Sequence, residues 1–103
     1  MAFESGHLDA TFSAAAGHDP VLQMELRQAF LESVERQLDL MQRARCDANW
    51  VVAAQGLKSL AASFHADGLI ELASQAIASA PGEPTSIQAI ASYCDEIRGQ
   101  AAG

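Results

Sequence analysis

Between Val21 and Met41 the large apolar residues Leu22, Leu26, Phe30, Val34, Leu38 and Met41 return every three to four positions. Glu25, Arg27, Glu32, Glu35, Arg36 and Asp39 fill most of the intervening places. That period is one stripe of an α-helix and is incompatible with the two-residue alternation of a half-buried strand. Asp19-Pro20 supplies the start signal, because Asp caps free backbone N–H groups and Pro suits the first helical position, whose N–H has no intrahelical partner. The stripe predicts one long helix from Val21 to about Arg45.

The rest of the chain divides around that helix. Residues 8 to 16, LDATFSAAA, predict a short amphipathic helix closed by Gly17. Asp47 offers a cap for a third helix running through Trp50 to about Phe64, and Asp67-Gly68 separates it from a fourth ending near Ala80. Ala80-Pro81-Gly82-Glu83-Pro84 predicts a loop. Thr85 or Ser86 then caps a last helix with Ile87, Ile90, Ala91, Cys94 and Ile97 as its stripe, before the tail Gly99-Gln100-Ala101-Ala102-Gly103 frays. Four substantial helices with short connections pack most simply as an all-α, antiparallel up-and-down four-helix bundle with the short first helix across one end. With 103 residues, the expectation is one domain spanning 1–103, its core at about 8–98.

Charge and cysteine content exclude several function classes. The net charge of −7, with no Lys/Arg run, argues against a nucleic-acid lattice or an anionic membrane surface and for protein partners. No stretch approaches the roughly 20 apolar residues of a membrane span, and MAFESGHLDATF lacks the basic and apolar regions of a leader, so a soluble cytoplasmic protein is expected. Cys46 and Cys94 read as free thiols rather than a staple. With His7, His18 and His65 they show none of the close paired spacings of zinc sites. No metal or cofactor is implied, no Ser/His/Asp, paired-carboxylate or phosphate-cradling arrangement is visible, and Glu83 and Glu96 read as solvent-facing acids.

The third helix carries the most information. On a wheel of about 100° per residue, Trp50, Ala53, Ala54, Leu57, Leu60, Ala61 and Phe64 share a core arc. Gln55 lies opposite, surrounded by Ala48, Val51, Val52, Lys58, Ser59 and Ala62. A solvated face ordinarily carries more charge than this. Val51 and Val52 cannot both reach the core easily, so at least one adds to an exposed apolar patch or packs against the first helix.

The run Gln55-Gly56-Leu57-Lys58-Ser59-Leu60-Ala61-Ala62-Ser63-Phe64-His65-Ala66 resembles the signature of the histidine-phosphotransfer (HPt) domain family: His-x-Leu-Lys-Gly/Ser, small residues, then an apolar residue and Gly-Ala. Gly17-His18-Asp19-Pro20 with the Leu22/Leu26/Phe30-Leu31-Glu32 helix, and Asp47-Ala48-Asn49-Trp50, resemble the family's second helix and its approach to the active helix. The resemblance covers roughly residues 8 to 98. It implies that Gln55 stands at the phospho-acceptor position, that Lys58 matches the lysine near the phosphoryl group, and that Ser59 leaves room for close approach. Gln55 and His65 depart from the family, His65 standing where Gly is common.

Phosphoryl relay needs a nucleophile with a free lone pair, and an amide nitrogen delocalised into its carbonyl has none. Transfer through Gln55 is therefore expected to be absent, while Lys58 and the surrounding face persist. The expected function is a phosphorylation-incompetent interaction module of bacterial two-component signalling, not an enzyme. It would dock a response-regulator receiver domain or a histidine kinase through Val51, Val52, Gln55, Lys58, Ser59 and Ala62, as a monomer. Two alternatives stand beside it: a genuine phosphotransferase whose acceptor histidine was replaced by Gln55, and a structural bundle that self-associates through Val51 and Val52. His65 lies ten residues on, about 15 Å along the helix and off the Gln55 face, and suits a helix end, where a cation complements the dipole. His7 and His18 are weaker substitutes still.

Overall fold

The computed structural model describes residues 5–102, with side chains for residues 8–99. Those residues form five helices: α1 (Ser5–Ala16), α2 (Pro20–Arg43), α3 (Asp47–Ser63), α4 (Asp67–Ala78) and α5 (Pro84–Ala102). No strand occurs among them. Helix α2 packs against α1, α3 and α5, and α4 packs against α3 and α5.

The stripe of α2 is buried from Phe30 through Val34, Leu38 and Met41, joined by Leu31. Leu22 departs from the expectation: it is 39 % exposed, and Val21 and Met24 of the same end of α2 are open as well. Helix α3 contributes Trp50, Ala53, Ala54, Leu57 and Ala61, with Leu60 and Phe64 half-buried against the same core. Ile90, Cys94 and Ile97 of α5 close it. The Trp50 indole N–H donates to the Ala76 carbonyl at 2.8 Å, tying α3 to α4 through a buried bond. Phe12, Phe30 and Phe64, with ring centroids 5.0 to 5.9 Å apart, join α1 to α2 and to the end of α3. Arg27 lies over the Phe12 ring and pairs with Asp9, so α1 is held by charge as well as by burial.

The helix ends show where local signals hold and where they shift. Asp19 caps α2 as expected, accepting from the N–H groups of Val21 and Leu22, with Pro20 in the first turn. Helix α2 stops at Arg43 rather than Arg45. The N-cap of α3 is Cys46, without a side-chain bond; Asp47 lies inside the first turn, where its charge meets the helix dipole. Helix α4 ends at Ala78. Helix α5 begins at Pro84, and the half-buried Glu83 accepts from the Thr85 N–H at 3.2 Å, so Glu83 does the capping expected of Thr85 or Ser86 and is not a purely solvent-facing acid. Ser86 instead meets the Ser79 hydroxyl at 3.3 Å. In place of a frayed tail, α5 continues through Gly99 to Ala102, while Gly103 lies outside the described residues.

Helix α3 closes in a Schellman motif. The Ala66 N–H donates to the Ala61 carbonyl at 2.9 Å and the His65 N–H to that of Ala62 at 3.2 Å. The motif requires a left-handed residue at position 65, and His65 adopts φ 56°. A side chain in that conformation is strained, which glycine would avoid.

Candidate functional site

Gln55 is the middle residue of α3 and is exposed, as are Val52, Lys58, Ser59 and Ala62. Helical spacing puts Gln55, Lys58 and Ser59 at i, i+3 and i+4, on adjacent turns of one face. Among the described residues, no hydrogen bond or ion pair engages the side chain of Gln55 or Lys58. The two valines separate. Val51 is half-buried against the core, whereas Val52 is 67 % exposed, so the apolar part of the face is Val52 with Ala48 one turn before it, while Ala62 lies ten residues on, beyond Lys58 and Ser59.

Past Asp47, α3 has no acidic residue in a chain that carries 13. The donors on its exposed face, the Gln55 amide, the Lys58 ammonium and the Ser59 hydroxyl, therefore meet no carboxylate on their own helix. They can donate to an oxyanion or carbonyl presented from outside. None of the three supplies an acceptor for covalent phosphoryl transfer comparable to an imidazole.

A groove beside this face was not expected from the sequence. It runs between α2 and α3 and is lined by Gln37, Leu40, Arg43, Asn49, Val52 and Gly56. Leu40 lies between the stripe positions Leu38 and Met41 and is 46 % exposed, which places it across the groove from Val52. Its floor depends on Gly56: a Cβ there would stand 2.7 Å from the Gln37 Oε1. A glycine in mid-helix is the sequence signal of such a close approach.

The histidines lie elsewhere. His65 is exposed past the end of α3, bordering a shallow groove with Asp67 and the small residues of α1. His18, in the α1–α2 turn, meets the Ser13 hydroxyl through Nδ1 at 3.0 Å. The side chain of His7 lies outside the described residues. Cys46 is exposed, while Cys94 is buried, and burial first, with Glu35 nearby second, pushes its thiol up to about 11. Arg98 is held above its usual range chiefly by its hydrogen bond to Glu35, bracing α5 against α2 away from the α3 face. Among the described residues no cluster of three metal-ligating side chains occurs, and no helix is long and apolar enough to cross a membrane.

No family model, curated protein or solved structure matches the chain.

Proposed function

We propose that this chain is an HPt-like docking module without phosphotransfer activity, acting in two-component signalling in the cytoplasm. Helices α2 to α5 form its antiparallel four-helix bundle, with α1 lying over one end. The closed ring of neighbours α2–α3–α4–α5–α2 supports that arrangement. The observation that carries the functional reading is the exposed face of α3, centred on Gln55 and free of acidic side chains past Asp47. A receiver domain or a histidine kinase docks there over Val52, Gln55, Lys58, Ser59 and Ala62, with Val51 supporting Val52 from beneath. Gln55 fills the acceptor position with a side chain that hydrogen-bonds but accepts no phosphoryl group, so the partner is held and not discharged.

The test is an NMR titration of the full chain with receiver domains and kinases of its own organism, alongside phosphotransfer assays on the native chain and on Gln55→His. Amide shifts confined to residues 51–62, with no phosphoryl uptake by the native chain, are the expected result. Uptake by the native chain overturns the loss of transfer. The absence of any partner that shifts this face overturns the docking assignment.

A further inference from the structure

The charge of this protein is divided along the chain. Residues 36–66 hold four cations, Arg36, Arg43, Arg45 and Lys58, against Asp39 and Asp47, a net of +2 within a chain of −7. This segment comprises the last third of α2 and all of α3, two helices packed side by side. Of its cations, Arg43 pairs with Asp39 at 3.0 Å and Arg36 donates to the Ser33 hydroxyl at 3.1 Å. Arg43, at i+3 from Leu40, lines the groove that Val52 borders from α3, and Arg36 stands one turn before Leu40 at i−4. The result is an exposed apolar pair bordered by two guanidinium groups and one carboxylate, Asp39, a local net of +1.

The first half of α2 presents the reverse. Val21 and Met24 are 65 % and 69 % exposed, and with Ala29 they line a shallow depression bordered by Glu25, Gln28 and Glu32. This is an exposed apolar pair inside an acidic surround. Met24 and Leu40, sixteen residues apart on one helix, are separated by about 24 Å along its axis. The two patches cannot meet within one molecule.

We propose that a second copy of this chain occupies the Leu40/Val52 groove with its Val21/Met24 patch, giving head-to-tail association. Pairing either patch with itself would set carboxylates against carboxylates or guanidinium groups against guanidinium groups; pairing one with the other matches both the apolar residues and the charges. The contact is heterologous, so each added copy leaves a free patch at either end. Both patches are small, which places the association at ~100 µM or weaker. The inference stands apart from receiver docking, although Val52 belongs to both surfaces.

Sedimentation of the full chain at rising concentration, up to ~1 mM, tests it. The weight-average mass is expected to climb past that of a dimer. Val52→Asp and Met24→Lys, both at exposed positions and checked for native helicity by circular dichroism, are each expected to weaken association at least ~10-fold. Mixed in equal amounts, they recover it but stop at a one-to-one pair, because each supplies the patch the other lacks. A native chain that stays monomeric throughout, one that stops at a dimer, or variants that fail to complement overturns the proposal. Met24→Lys leaves the α3 face intact, so a receiver that still binds this variant separates self-association from docking.

Discussion

The two sides of α3 differ more than the two sides of any solvated helix require. One side places Trp50, Ala53, Ala54, Leu57 and Ala61 at or below 4 % exposure, and the other leaves Val52, Gln55, Lys58, Ser59 and Ala62 in solvent with a single charge among them. The outward side of α2 shows the ordinary pattern by contrast, with Arg43 paired to Asp39 and Glu35 paired to Arg98. Those pairs keep a helix soluble and contribute little to stability. The difference teaches that α3 divides its labour by face: the inward side holds the fold, and removing the outward side chains costs the fold almost nothing.

The sharpest way to break this division is to attack the inward side. Trp50→Ala empties a fully buried site and removes the indole's bond to the Ala76 carbonyl, which keeps the Ser79 N–H and hydroxyl, and is expected to cost ~3–5 kcal/mol in urea unfolding. A loss below ~1 kcal/mol would show that α3 does not anchor the core. Cys94 extends the same contrast to α5. Its thiol titrates near 11 in the folded chain against about 9 when unfolded, so the folded state retains the proton in that interval. The contribution of Cys94 is therefore expected to be level up to about pH 8, and stability to fall as pH rises from about 9 to 11, by up to ~2 kcal/mol. A Cys94→Ser chain whose profile falls equally over that range would assign the loss to other groups.

His65→Gly probes the boundary where α3 ends. Relief of a left-handed side chain is expected to stabilise by ~1 kcal/mol, read as a higher urea midpoint at unchanged slope. At Gly56, Ala gains helix propensity and displaces only the mobile end of Gln37, so Gly56→Ala is expected to stabilise by ~0.5 kcal/mol while narrowing the groove. Destabilisation there would mean that Gln37 is fixed in place. The smallest effect belongs to the outward side: Gln55→Ala and Lys58→Ala are expected to change unfolding by less than ~0.5 kcal/mol. A larger loss from either would erase the distinction between the faces.

Much of this was legible in the sequence because it is set within a few residues. The α2 stripe, the Asp19-Pro20 start and the inward arc of α3 follow from periodicity and capping chemistry alone. Other features depend on neighbours distant in the chain. Leu22 has the right phase for burial, yet it stays 39 % exposed, since phase alone does not say which turns of a helix a neighbour covers. Asp47 and Thr85 have the right chemistry for caps, but Cys46 and Glu83 stand one or two residues earlier with the backbone already turned. Spacing left Val51 and Val52 equivalent, and only packing separates them. The groove needed Leu40 of α2 opposite Val52 and Gly56 of α3, a juxtaposition that no single-helix pattern contains. Gln55 and Lys58, by contrast, were placed on the open face by angle alone, and they lie there.

The indole of Trp50 is the chain's sole tryptophan, sealed from water and bonded to the next helix, while the exposed Gln55 face lies on the opposite side of the same α3. Its emission is consequently a built-in optical gauge of helix separation. A partner that settles on Gln55 without loosening the core leaves the emission maximum where it stands in the free protein, and a partner that pries α3 from α4 shifts it to the red.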